Sequence, residues 1–144
     1  MPTYNLRREY NWRGDVAELL AKHQYKAKRT KGYEFRLDPN LSAKQNEFLM
    51  SIWEYIDLYG YDDMGKLKIY EVKSRTDGIN RKYDITSMAL DAYKKACVLK
   101  IKVSLIIVTF HDNWELSFSE EEFDEKKLRV NDGGWYRRRE KRVS

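Results

Sequence analysis

A mixed α/β sheet flanked by helices is the fold class this sequence predicts, and three observations predict it. Runs that alternate apolar and polar residues are separated by stretches with helical periodicity. The most apolar run, residues 103–110, has the length of one central strand. A strand–helix–strand order from residue 69 to residue 109 makes those two strands parallel, because such a crossover needs room for a helix. With 144 residues the chain suffices for one domain around one core.

Residues 1–13 are polar and aromatic, carry Arg7, Arg8 and Arg13, and read as an arm. Gly14 and Asp15 supply a start signal for a helix to about residue 28, with Val16, Leu19, Leu20, His23 and Ala27 at helical spacing. Residues 33–37 alternate as a short strand, ended by Asp38-Pro39-Asn40. Ser42-x-x-Gln45 is a capping box before the stripe Phe48, Leu49, Ile52, Trp53 and Ile56. Since Tyr55, Asp57 and Tyr59 also alternate with Ile56 and Leu58, a helix over 43–51 should give way to a strand through 59. Residues 60–65 are a turn and 67–74 a strand, a hairpin that brings Asp57 back towards Glu71.

A loop follows to residue 84, then a helix over 86–99 with Met88, Ala89, Ala92, Ala96 and Leu99 inward and Cys97 in its core. Residues 100–110 form the central strand, and His111-Asp112-Asn113 turns into an alternating strand over 114–118. Ser119-x-x-Glu122 is a second capping box, opening a short acidic helix. Residues 133–144 are a basic tail, which leaves 1–132 as the domain.

Composition narrows the chemistry. Hydrophobic content of 42% with 14% aromatic residues marks a folded protein. No run approaches the ~18 apolar residues of a membrane span, and the N-terminus lacks a signal-peptide core. The expectation is an intracellular protein, in the cytoplasm or in a host's cytoplasm if viral, with no membrane partner. A single cysteine excludes an internal disulfide, and with His23 and His111 it leaves too few ligands for a structural zinc. Any metal should therefore be a hard cation held by carboxylates. The net charge of +5 fits an anionic partner and equally a soluble basic protein without one.

The most informative stretch is Ile69-Tyr70-Glu71-Val72-Lys73-Ser74. Side chains alternate along a strand, so Glu71 and Lys73 share one face while Val72 points into the core on the other. A charged pair on an otherwise apolar strand breaks the local pattern, and such breaks concentrate at functional sites. Asp57 adds a second carboxylate from the run before it.

In the order Glu18 on a helix, Asp57, Glu71-Val72-Lys73, a helix and an apolar strand, the chain resembles the PD-(D/E)XK nuclease superfamily. Within it the likeness is nearest to small archaeal Holliday-junction resolvases and related nucleases of archaeal viruses, over roughly residues 14–118. The resemblance implies a restriction-endonuclease-like mixed central sheet flanked by helices. It also implies an Mg²⁺-dependent endonuclease, with Mn²⁺ able to substitute, acting on DNA as duplex, junction or flap, and working as a homodimer. Carried over, the catalytic residues are Glu18, Asp57, Glu71 and Lys73, and Asp57, Glu71 and the carbonyl of Val72 are the metal ligands. The sequence departs from the pattern at Ile56, where the family has proline, and in a longer segment between the first helix and Asp57. Ser87 and Tyr93 stand where some branches have a glutamine.

That donor set suits phosphodiester hydrolysis, since Mg²⁺ needs only one or two carboxylates. Lys73 would orient the attacking water or neutralise developing charge. Arg75, Arg81, Lys82, Lys94 and Lys95 would contact DNA phosphates, and Trp12, Trp135 and Tyr136 could stack on unpaired bases. Plainer readings stand beside these. Asp15-x-x-Glu18 also fits a capping-box variant, and Glu71 with Lys73 also fits a salt bridge on a solvated face. Asp62 and Asp63 read as turn residues and His111 as a loop residue. The alternative function is a non-catalytic nucleic-acid-binding module on the same fold.

Overall fold

The computed structural model of the protein describes residues 6–76 and 82–132. Helix α1 (Leu6–Gln24) leads into strand β1 (Lys28–Arg29), and α2 (Ala43–Ile52) runs through a 3₁₀ turn into β2 (Leu58–Tyr61). Next come β3 (Leu67–Thr76), β4 (Tyr83–Ile85), α3 (Ser87–Val98), β5 (Lys102–Phe110), β6 (Leu116–Glu122) and β7 (Leu128–Val130). Five strands form one mixed sheet in the order β1-β2-β3-β5-β6, and β4 pairs with β7 in a small parallel ribbon.

β2 and β3 are the antiparallel hairpin that the turn residues predict, and Asp62 Oδ1 accepts from the Met64 and Lys66 amides within it. β3 and β5 are parallel from Lys68↔Lys102 to Thr76↔Phe110, as the crossover requires. Both lie inside the sheet, with residues 103–109 of β5 and 69–72 of β3 continuously buried. One sheet face packs Leu58, Tyr70, Val72, Ile106 and Val108 against Ala17 and Ala21 of α1. The other packs Ile69 and Val103 against Leu49 and Ile52 of α2 and against Ala92, Tyr93 and Ala96 of α3. Helices thus cover both faces of the sheet, in a mixed α/β architecture.

Several expectations are corrected. Helix α1 begins by Leu6, so residues 6–13 are helical rather than an arm, and Gly14 and Asp15 lie inside it. An interior glycine costs about 1 kcal/mol, which a long helix tolerates. The helix ends at Gln24 because Lys26 takes a left-handed φ of 52°, and its buried stripe is Ala17, Glu18 and Ala21, while Leu19 and His23 face solvent.

Residues 33–37 form no strand. Their polar and apolar groups are satisfied by side chains instead: Trp53 Nε1 donates to the Tyr33 carbonyl at 2.7 Å, and Phe35 packs edge-on against Trp53. Asp38 closes the loop, accepting from Tyr59 and Tyr61 hydroxyls, beside Lys28.

The capping box at Ser42 and Gln45 forms in both directions. That at Ser119 does not, because residues 119–122 continue β6 and pair with 107–104 of β5, so sheet pairing overrides the local signal. On α3, Met88 and Leu99 are exposed and Tyr93 is buried in their stead; Cys97 is also exposed. The basic tail from residue 133 lies outside the described residues.

Candidate active site

Chain alternation sets Glu71 and Lys73 on one face of β3, where Glu71 is buried and Lys73 half-buried. Lys73 Nζ stands 3.3 Å from Glu71 Oε1. Asp57 occupies the bend just before β2, opposite β3. Thr30 fixes that bend: its hydroxyl donates to the Ile56 carbonyl at 2.7 Å, and its amide donates to the Asp57 carbonyl at 3.3 Å. Asp57 Oδ2 accepts the Val72 amide at 2.8 Å, which ties the aspartate to the strand bearing the other two groups.

Glu18 joins from α1, in the turn that packs Ala17 and Ala21 on the sheet. Its Oε2 accepts from Arg29 at 3.2 Å, and its Oε1 lies 3.1 Å from Lys31 Nζ. The same Lys31 Nζ is 3.0 Å from Asp57 Oδ1, so one ammonium bridges two carboxylates. Arg29 also holds the exposed Asp15 at 3.1 Å. Beneath the cluster, the buried Tyr93 hydroxyl donates to the Tyr70 carbonyl at 3.2 Å and adjoins Glu71.

Glu18, Asp57 and Glu71 are all about 95% buried. Burial and the nearby Asp57 charge raise the proton affinity of Glu18 and Glu71, and the cations only partly offset this for those two. Burial, then the charge of Asp57, push Glu71 up to about 8. The same two causes push Glu18 up to about 7, against the pull of Lys31. Asp57 goes the other way: burial would raise it, but Lys31, Glu71, Lys73 and the Val72 amide hold it below the usual carboxylate range. For Lys73, burial opposes the charge, and Glu71 and Asp57 more than reverse that. Of the two neighbours, Asp57 thus holds its negative charge more firmly and Glu71 its proton.

The geometry brings together all four residues singled out as catalytic. Glu18 is no helix cap, since it lies inside α1 and faces inward, and Glu71 with Lys73 is no surface pair. At Val72 the contact seen is its amide to Asp57. Arg75, two residues past Lys73 on the same face, is exposed, and its Nε donates to Thr109 Oγ1 at 3.0 Å. Lys94 and Lys95 on α3 are engaged with Glu125 and Asp91 at 3.6 and 3.2 Å. Lys82 is exposed, and Arg81 lies outside the described residues.

Arg29, Thr30 and Lys31 are not among the residues the sequence singles out. Arg29 and Lys31 sit two apart in the basic run after α1, the spacing that aims extended side chains one way, and that was the available signal.

Among the described residues, no three His, Cys, Asp or Glu side chains are arranged to hold a metal together. Two buried carboxylates of unequal proton affinity nonetheless fit a hard divalent cation, whose charge would offset their mutual repulsion. No family model, curated protein or solved structure matches the chain. None of the described helices is long and apolar enough to cross a membrane.

Proposed function

We propose that this protein is an Mg²⁺-dependent endonuclease of restriction-endonuclease-like architecture, hydrolysing DNA phosphodiester bonds at duplexes, junctions or flaps. The observation that carries the reading is the meeting of Glu18, Asp57, Glu71 and Lys73, drawn from a helix, a bend and a central strand, in one buried cluster. Structural needs alone give no reason to bury three carboxylates together, because each is costly to desolvate.

Asp57, Glu71 and the Val72 carbonyl would hold the ion, and Mn²⁺ could take its place. When bound, such an ion acidifies water and draws charge from phosphoryl oxygens. The remaining work belongs to the chain. Asp57 is fixed by the Val72 amide on Oδ2, so its other oxygen, Oδ1, which pairs with Lys31, is pre-aimed. Lys73 keeps its proton against burial, which suits it to steady a developing anion rather than to act as a base. Arg75 extends past the site as a phosphate contact. Cutting symmetric strands of a junction would call for a homodimer.

The test is cleavage of end-labelled four-way junction, flap, linear duplex and single-stranded DNA by wild type and Glu71→Ala, in Mg²⁺, Mn²⁺ or EDTA. Metal-dependent cleavage that the variant loses while still binding DNA is the expected result. Salt-sensitive binding without cleavage in any metal would instead favour a non-catalytic nucleic-acid-binding module.

A further inference from the structure

We propose that Lys31 is a resident counter-ion of Glu18 and Asp57 that a divalent cation must displace, so that this lysine sets how tightly the metal is held. The inference rests on the metal-dependent reading above. Its first support is position. The ammonium lies 3.1 Å from Glu18 Oε1 and 3.0 Å from Asp57 Oδ1, touching the aspartate that would ligate the ion. A cation near Asp57 Oδ1 and the lysine ammonium repel each other and compete for the same oxygen.

The second support is that Lys31 alone of the three site cations can leave. Its side chain is 53% exposed, against 22% for Lys73 and 18% for Arg29. Its backbone, by contrast, is anchored. Thr30 binds the Ile56 and Asp57 carbonyls, the Tyr33 amide closes a turn on the Thr30 carbonyl at 3.2 Å, and Gly32 carries that turn's positive φ of 79°. A flexible four-carbon stem on a fixed base can swing into solvent without moving the core.

The third support concerns what departure would break. Glu18 Oε1 is buried and has no well-aligned hydrogen-bond donor, so its 3.1 Å contact with Lys31 holds by charge more than by direction. Glu18 keeps Arg29 through its other oxygen, and Asp57 keeps the Val72 amide. Both carboxylates stay positioned when the lysine withdraws.

Calorimetric titration of Mg²⁺ and Mn²⁺ into the DNA-free protein tests this without reference to cleavage. Lys31→Met should bind the ion roughly tenfold tighter than wild type, whereas Arg75→Gln, which removes a charge that touches neither carboxylate, should change affinity less than about twofold. Lys31→Arg keeps the charge and adds a planar fork suited to carboxylates, so it should bind metal more weakly than wild type. Should Lys31→Met fail to fold, Lys31→Arg decides: weaker binding supports displacement, and equal or tighter binding overturns it. Equal affinity in Lys31→Met and wild type, or an equal gain in Arg75→Gln, overturns the role of Lys31 and leaves the metal site standing. No heat from either ion in wild type and Lys31→Met alike overturns both.

Discussion

Asp57 Oδ2 accepts the backbone amide of Val72 at 2.8 Å, so the carboxylate of one strand's bend is clamped to the centre of its neighbour. Asn at position 57 could keep that hydrogen bond but not the charge. Asp57→Asn should therefore reduce metal-dependent DNA cleavage by at least about 100-fold, as loss of electrostatic stabilisation does. DNA binding in EDTA, followed by fluorescence anisotropy, should stay within about threefold. Loss of binding in parallel with cleavage would mean that Asp57 organises the surface rather than the chemistry.

Glu71 and Glu18 tie stability to pH. Their ordinary value is 4.5, and in the folded protein they stand near 8 and 7. Between about pH 4.5 and 8 the native state keeps protons that the unfolded chain has released, so stability must fall as pH rises through that window. Glu71→Gln removes the larger part of this burden. In EDTA it should raise stability at pH 8 by on the order of 1–3 kcal/mol and have far less effect at pH 4.5. Thermal unfolding at the two pH values measures the difference, and an equal effect at both would refute it. The same variant should abolish cleavage, so that stability and activity move in opposite directions.

Tyr93 donates to the Tyr70 carbonyl at 3.2 Å from a fully buried position, and its hydroxyl adjoins Glu71. Tyr93→Phe removes that hydrogen bond and should cost about 1 kcal/mol of stability. It also removes a contact that favours the ionised form of Glu71, so the acidic limb of the cleavage profile should move to higher pH. An unchanged pH profile with reduced stability would make Tyr93 a packing residue only.

The sequence made the centre of this site legible and its rim obscure, for a physical reason. Glu71-Val72-Lys73 is visible because charge on an apolar strand contradicts its surroundings, and strand alternation fixes which side chains share a face. The turn over residues 62–66 then folds Asp57 back by local geometry alone. Glu18 was ambiguous because Asp15-x-x-Glu18 satisfies a capping pattern equally well. Only the burial of Ala17 and Ala21 beside it, a tertiary fact, turns it inward. Lys31 had no such conflict to reveal it, since a lysine in a basic loop looks solvated. The second capping box failed for the converse reason: β5 offered residues 119–122 a full ladder, and seven-residue pairing outweighs one cap.

DNA contact should be uneven among the basic residues first singled out. Arg75 stands two residues beyond Lys73 on the site's own face, and its one described side-chain bond is to the neutral Thr109, so the guanidinium charge is still available. Lys95 is engaged by Asp91 one helical turn away, at 3.2 Å on the exposed surface of α3. Each phosphate contact releases close to one counter-ion, so Arg75→Ala should lower the slope of log affinity against log salt by about one. Lys95→Ala also frees Asp91, whose charge would repel phosphate, yet it should leave that slope unchanged if α3 lies off the DNA path. Anisotropy titrations of labelled duplex at several salt concentrations separate the two. A slope that falls with Lys95→Ala and not with Arg75→Ala would place the nucleic acid across α3 instead of across the end of β3.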